Sequence, residues 1–391
     1  MAITTTSTIS PAVQAYYDKQ FLLTAKPTLI YYQLGQKKVL PAGNGKTVYF
    51  SRYMPLAIRT TPLTETSDGG ITAGSGKALY TQEISATVAE YGDYVEIAEI
   101  ASKTSIDKGI KEKVAIVSQQ ASDTIEEIIK LNVGTGFQRM RADGDATYQA
   151  DTIADGTFGT TTTLVASSLT QADDFWNGGY VTFTNPADKL YGITVKVSDF
   201  VALTDTLTVE TLPTAPTAIS TFRIVVGTGI SAGDVLSTTV IKKALRELKK
   251  NKALPFADGK YVCVLDPDIE YDFMSDTDWK GVATYQNAKA LYNGELGTWL
   301  GVRFVSATSI YRETVAGVYD PAGAVHVATL MGREAFGVVD LEGDKKKIII
   351  KDAKDLGQPL EMSSTVGWKV GFASKVLNGC FGINILCGVS A

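Results

Sequence analysis

Four carboxylates stand close together in the segment DPDIEYD, at Asp266, Asp268, Glu270 and Asp272. A carboxylate cluster can bind Mg²⁺ or carry out acid–base chemistry. A metal-dependent hydrolase that uses Asp266, Asp268 and Glu270 is therefore one candidate function. The alternative is structural, because Asp-Pro-Asp is a typical helix start and acidic residues in a first turn complement the helix dipole. We favour the structural interpretation.

The chain supplies little else for catalysis. His326 is the one histidine, so a His-based metal cluster cannot be built, and a Ser-His-Asp site would depend on this residue. It lies in GAVHVATL, whose alternation predicts a strand, and we expect it to face solvent or a neighbouring side chain. The three cysteines, Cys263, Cys380 and Cys387, fit neither a disulfide framework nor a metal spacing and indicate a reducing compartment.

Two loops resemble ligand sites only in part. The glycines of GTGISAGD miss the spacing of the common nucleotide-binding motifs. Asp143 and Asp145 begin a segment like a calcium loop, but Tyr148 stands where glycine is needed and Ala154 where a bidentate glutamate is needed. We therefore expect no catalytic residues, no cofactor and no bound metal.

Composition points to an ordinary globular protein. The 391 residues are 45% hydrophobic and 20% charged, with a net charge of −5 and room for two or three domains. This acidic balance argues against a general basic surface for nucleic acid. The segment KKALRELKKNK has a basic helix face that could meet phosphates or could simply be solvated. We expect no secretory signal and no membrane span, since no apolar run approaches about 18 residues.

The segment TPLTETSDGGITAGSGKALYTQE, residues 61–83, joins two predicted strands but has almost nothing to bury. Ordering about 20 residues costs on the order of 20–40 kcal/mol of backbone entropy, and an isolated hairpin is marginally stable. Ile71 and Leu79 offer little compensating burial. We therefore interpret the segment either as disordered or as lying across another subunit, and the flanking strands favour the second.

A long helix follows. Its apolar residues recur every three or four positions, at Ile106, Ile110, Val114, Val117, Ala121, Ile125 and Ile128. Ser102, Thr104 and Ser105 are candidate N-caps, and Gly134 is a candidate stop. Its length would be about 40 Å, which suits a strut. Short β-patterned runs over 155–228 then predict a small barrel or sandwich inserted into an α/β body. Helix and strand patterns alternate after it.

Several motifs, taken in order, resemble one protein family. RYMPLAIRTTPLTE, YGDYVEIAE, ALRELKKN followed by YVCVLDPDIEYD, GELGTWLGVRFV and GREAFGVVDLEG are similar to the major capsid proteins of tailed bacteriophages. More narrowly, they resemble the branch typified by coliphage N-four. Each motif alone is weak, but together they run over nearly the whole chain.

The resemblance implies an α+β fold of the Hong Kong 97 capsid type. It implies an N-terminal arm over 1–40, an E-loop hairpin with flanking strands over 41–103 and a P-domain spine helix over 104–139. It further implies a variable, inserted β-rich domain over 140–230, an A domain over 231–320, and P-domain strands and the C-terminus over 321–391. In the prototype, a lysine and an asparagine of neighbouring subunits are joined covalently. Lys77 lies at the hairpin tip, but nothing around Asn378 or Asn384 marks that chemistry, so it is not carried over.

The implied function is self-assembly rather than catalysis. Hexamers and pentamers of the chain would form an icosahedral head in the virion, assembled in the host cytoplasm around double-stranded DNA that is not bound by sequence. Portal and scaffold or decoration proteins would be further partners. The alternatives are an encapsulin-like nanocompartment shell, the Asp266-based hydrolase, and a phage tail or decoration protein that binds through its β module.

Overall fold

A computed structural model gives the fold of the chain. It describes residues 29–41, 43, 45–53, 60, 81–98, 110–143, 148–152, 159–166, 169–226, 230–276, 279, 297–314, 324–341, 347–351 and 363–390. These residues contain four α-helices: α1 (Ile30–Leu34), α2 (Ile110–Gly136), α3 (Thr238–Lys250) and α4 (Pro267–Ser275). None of these helices is long and apolar enough to cross a membrane.

The strands are numbered in chain order. They are β1 (Gln36–Leu40), β2 (Thr47–Tyr53), β3 (Thr81–Thr87), β4 (Ala89–Ala98), β5 (Gln138–Arg141), β6 (Tyr148–Thr152), β7 (Thr163–Val165), β8 (Tyr180–Phe183), β9 (Thr194–Val201), β10 (Thr206–Val209), β11 (Thr221–Val225), β12 (Tyr261–Leu265), β13 (Thr298–Trp299), β14 (Val302–Ser306), β15 (Arg312–Thr314), β16 (Ala324–Met331), β17 (Phe336–Leu341), β18 (Lys347–Lys351), β19 (Ser363–Val376) and β20 (Gly382–Cys387). The mixture confirms the predicted α+β class.

The chain divides into two compact units. The first comprises Met1–Val48, Ser85–Asn132 and Phe336–Lys375, and the second comprises Tyr49–Ile84, Val133–Ala335 and Val376–Ala391. The first unit holds a five-stranded sheet in which β1, β17, β19 and β18 are neighbours and β4 pairs with β19. The pairing of β4 with β19 is antiparallel and runs over ten residues.

Helix α2 confirms the predicted long helix, with two corrections. Val114, Val117, Ala121 and Ile125 are buried as predicted, but the next buried position is Ile129 and not Ile128, which is half-buried. The helix also continues past Gly134 to Gly136. Gly134 is required for close packing, because a Cβ there would lie 2.2 Å from the Tyr311 ring. The predicted N-caps of this helix lie outside the described residues.

The second unit contains a seven-stranded sheet with the order β13-β14-β12-β16-β20-β5, in which β15 also pairs with β16. All residues of β12 and β20 are buried, which explains why their sequences are mostly apolar instead of alternating, with Asn384 of β20 as the polar exception. Strands that are close in sequence join different sheets, because β16 belongs to this sheet whereas β17 and β18 belong to the five-stranded sheet.

A separate six-stranded sheet is built from residues 148–225 in the order β6-β11-β8-β9-β10-β7. Every neighbouring pair is antiparallel. Its interior is a cluster of its own that includes Trp176, Phe183, Phe200 and Phe222. Strand β11 ends at Val225. This residue packs with Val325 and Val327 of β16 and with Leu386 of β20, all in the seven-stranded sheet.

Strands β2 and β3 form a two-stranded sheet, as predicted for the hairpin. The segment 61–80 that joins them, which includes Lys77, lies outside the described residues, and so do residues 1–28 of the predicted N-terminal arm.

Candidate functional site

The fold brings Asp266 of the carboxylate segment into contact with His326, the one histidine of the sequence. Asp266 directly follows the buried strand β12 and precedes α4, and His326 lies on β16, which pairs with β12. His326 Nδ1 lies 3.0 Å from Asp266 Oδ2, and both residues are buried. Because an ionised carboxylate only accepts hydrogen bonds, the imidazole carries its proton on Nδ1. The expectation that His326 faces a neighbouring side chain is met.

A third residue completes this cluster. Arg312 Nη2 lies 2.7 Å from Asp266 Oδ2 and 3.5 Å from Asp268 Oδ2. One ligand atom from each of Asp266, Asp268 and His326 lies within 4.8 Å of the others, so the residue types could hold a metal ion. The Arg312 guanidinium, however, already supplies the positive charge that both carboxylates require. These ion pairs therefore link Arg312 of β15 to Asp266 at the end of β12 and to Asp268 of α4, which is a structural role.

The electrostatics of Asp266 agree with this role. Burial by itself raises the pKa of its carboxyl group, but the hydrogen bonds from His326 and Arg312 outweigh burial and lower the pKa below its ordinary value. Asp266 is consequently ionised at neutral pH. This is the opposite of a general acid, whose pKa must be raised toward the working pH.

We predict that Asp266→Asn makes the protein less stable and less sensitive to acid. A carboxylate with a lowered folded-state pKa stabilises the protein above its unfolded pKa, near 3.9, and loses that contribution as pH falls through the folded value. The substitution should cost about 1–3 kcal/mol near pH 7 and flatten the stability profile below about pH 4. Thermal unfolding between pH 2 and 7 measures both effects. Asp268→Asn, whose side chain is 58% exposed, is the control and should change little.

The other carboxylates of the segment do not join this cluster. Glu270 lies in the first turn of α4, as the structural interpretation predicted. Asp272 is buried and accepts hydrogen bonds from the backbone N–H and the hydroxyl of Ser390. It therefore holds the end of the described chain against α4. The hydrolase interpretation had placed Glu270 with Asp266, and the structure places Arg312 and His326 there instead.

The remaining sequence candidates have structural partners. Asn378 accepts a hydrogen bond from the backbone N–H of Cys380, and Asn384 donates to the carbonyls of Val133 and Gly134. Both asparagines are buried. The three cysteines are free and buried, and burial raises the pKa of Cys380 to about 12.

Only part of each loop that resembled a ligand site lies within the described residues. Asp143 binds Arg141 through Nε and Nη2, at 2.9 and 2.6 Å, so this carboxylate has a cation of its own chain as a partner. Asp145 and Ala154 lie outside the described residues. So do the first two glycines of GTGISAGD, at positions 227 and 229.

Extended surfaces are the more distinctive features. Strand β4 is exposed over most of its length, and its second edge is paired with no other described strand. It presents Tyr94 and Val95 to solvent, and β2 presents Tyr49 and Tyr53, the latter 72% exposed. An unpaired edge and exposed aromatic side chains are typical of surfaces that other chains cover.

Sequence patterns could not have found the Asp266 cluster. His326 is 60 positions from Asp266, and its only local signal was strand alternation. Arg312 belongs to no recognisable motif, so the sequence around it gave no reason to place it in a site. A second feature that was missed is the exposed turn around Leu203, since the sequence there reads as an ordinary strand connection.

Comparison with known protein families gives one match. Residues 230–373 match the family model described as phage capsid protein. No curated protein matches the chain.

Solved structures match over nearly the full length. The capsid of the cyanophage P-SCSP1u is 13% identical with a TM-score of 0.54, covering 93% of this chain and 89% of that one. The head structure of the Helicobacter pylori bacteriophage KHP40 is 8% identical with a TM-score of 0.56, covering 92% and 90%. The capsid of Ralstonia phage GP4 is 14% identical with a TM-score of 0.52, covering 92% and 88%. The chain therefore has the Hong Kong 97-type capsid fold, and the N-four-like branch stays a prediction.

Proposed function

We infer that this chain is a phage capsid protein, the major subunit that self-assembles into the icosahedral head of a virion. The observation that carries the inference is the agreement of two comparisons: the capsid family model over residues 230–373 and the capsid fold over nearly the whole chain. The long helix α2, the hairpin of β2 and β3, and the open edge of β4 are the elements expected of a shell subunit.

We further propose that the protein acts by assembly alone and catalyses no reaction. The Asp266 cluster supports this proposal, because its carboxylates are ion-paired with Arg312. In this proposal the subunits form hexamers and pentamers, assembled in the host cytoplasm, that enclose double-stranded DNA. The net charge of −5 suits a container that should not bind its cargo tightly. Portal and scaffold or decoration proteins complete the proposed set of partners.

We also propose that residues 140–230 form the inserted domain of this capsid subunit, preceded by the spine helix and followed by the A domain. The six-stranded sheet supports this assignment, because all its strands come from residues 148–225 and it has its own buried core.

The proposed function is tested by producing the full chain in bacteria and examining it by size-exclusion chromatography and electron microscopy. We expect closed hollow particles, with capsomers as their precursors. A small oligomer that never forms a shell, also in the presence of crowding agents, would contradict the proposal. Particles that enclose an enzyme instead of DNA during their native assembly would identify a nanocompartment shell.

A further inference from the structure

An exposed acidic and apolar surface lies at one end of the six-stranded sheet. We call it the acidic tip, and it consists of Asp173, Asp174, Phe175, Asp199, Val201, Leu203 and Asp205. The loop before β8 and the turn between β9 and β10 are joined there: the backbone N–H of Asp174 donates to Phe200 O at 3.1 Å, and that of Ala202 donates to Asp173 Oδ1 at 2.7 Å. The tip is therefore one ordered surface.

The chemistry of the tip is unusual for a solvated turn. Leu203 is 93% exposed, and Phe175 and Val201 are also exposed. Residues 169–176 and 198–206 contain four aspartates and no lysine or arginine. An exposed apolar centre surrounded by charge of one sign is typical of a protein-binding surface whose partner is basic.

The same chain carries a surface of the opposite sign. We call it the basic face, and it consists of Lys242, Arg246, Lys249 and Lys250 on α3 with Lys252 and Leu254 after it. All six side chains are exposed. Residues 238–252 contain six basic residues and one acidic residue, Glu247, which pairs with Arg246 and Lys250. Leu254 adds an exposed apolar side chain to this face.

The aspartates of the tip have their hydrogen-bond partners within the tip and the loop beside it. Asp173 accepts from the backbone N–H of Ala202, and the Asp174 carboxylate accepts from the Asn177 amide. These partners are uncharged and none of them belongs to α3. The negative charge of these two aspartates is therefore left for a basic partner.

We propose that the acidic tip of one subunit docks on the basic face of a second copy, with Leu203 placed against Leu254. The inference rests on the proposed function and names a contact between copies within it. Complementary charge on two exposed surfaces of one chain makes a heterologous contact, which generates rings or extended lattices rather than an isolated pair. Each contact is small, and its strength in a shell comes from repetition among linked subunits.

The test is an exchange of charges in the full chain. The tip variant Asp199→Lys with Thr204→Lys places lysines at two exposed positions and changes the charge of the tip from −4 to −1. The face variant Arg246→Glu with Lys249→Glu places carboxylates at two exposed positions and lowers the charge of residues 238–252 from +5 to +1. We expect each variant to raise the protein concentration needed for shell formation by about tenfold or more, and the combined variant to return within about threefold of the wild type. Turbidity and electron microscopy measure this concentration, and circular dichroism verifies that each variant is folded.

Glu210→Lys is the matched control, because Glu210 is exposed on the same sheet but lies beyond β10, away from the tip. It should assemble as the wild type does. If the tip variant assembles normally while the wild type forms shells, the proposed contact is wrong and the proposed function stands. If both single-surface variants fail but the combined variant is not restored, the tip binds something other than the basic face, and the proposal is also wrong. A wild type that forms no shell would instead contradict the proposed function.

Cross-linking gives a second, independent measurement. The three native cysteines are buried, so Leu203→Cys with Leu254→Cys introduces two accessible thiols at the positions proposed to touch. Oxidised shells should show ladders of disulfide-linked subunits on a non-reducing gel. Glu210→Cys with Leu254→Cys should remain monomeric on the same gel. Equal cross-linking in both variants, or none in the first, would overturn the proposal.

Discussion

Deleting Asp68–Lys77 is expected to leave a folded subunit that no longer closes into shells. The strands that flank this segment form a sheet of only two strands, and such a hairpin is marginally stable by itself. Strand β2 buries Val48 and Phe50 but leaves Tyr49 and Tyr53 exposed. Contact with a neighbouring subunit would cover this surface, and the deletion leaves every buried residue that the structure describes in place.

Negative-stain microscopy and size-exclusion chromatography measure this loss. A replacement of Asp68–Lys77 by ten glycine and serine residues separates chain length from side-chain contact, and we expect it to fail as well. Both variants should keep the wild-type circular dichroism spectrum and unfolding midpoint. Normal shells from the deletion would show that the hairpin tip is dispensable for assembly.

Glu313→Gln is expected to cost about 3–5 kcal/mol of folding stability, because it leaves a buried charge without its counter-ion. Arg139 is almost fully buried and forms an ion pair with Glu313. The Tyr180 ring lies 3.5 Å from its guanidinium carbon, and Nη2 donates to Gly134 O at 3.1 Å. Neither partner can replace a carboxylate, so the guanidinium would stay desolvated and unneutralised.

Urea denaturation of the full chain measures this cost. Glu334→Gln removes the partner of the half-exposed Arg333 and should cost less than about 1 kcal/mol. The double substitution Arg139→Met with Glu313→Leu removes both charges and should recover much of the loss. A cost for Glu313→Gln as small as that of the control would mean that the buried pair contributes little.

Local patterns predicted the long helices well, because α2 and α3 each bury one face. Val114, Val117, Ala121 and Ile125 recur at helical spacing, and all of them are buried on α2. Helix α3 likewise buries an apolar stripe whose residues recur at helical spacing. Asp266-Pro267 correctly predicted the start of α4. These features depend on neighbours within a turn or two, so the sequence near each residue is sufficient.

Glycine positions and strand partners were harder to predict. Gly134 was predicted to end the helix, but α2 continues through it to Gly136. The position is glycine because the Tyr311 ring occupies the space that a side chain would need. Strands β16 and β17 are close in sequence yet join different sheets. Nothing in either strand's own residues states which edge it will pair with, since backbone hydrogen bonds are the same for every partner.

The amino-acid sequence by itself determined the α+β class, the long helix, the paired strands of the hairpin and, through its ordered motifs, the resemblance to capsid proteins. Only the tertiary structure decided that His326 and Arg312 meet Asp266, and that Arg139 meets Glu313 across 174 positions. It also decided that Leu203 stands exposed among aspartates while α3 presents the opposite charge. The physical reason is that ion pairs and surfaces depend on which distant segments the folded core brings together, whereas helical and strand periodicity is written within a few neighbouring residues.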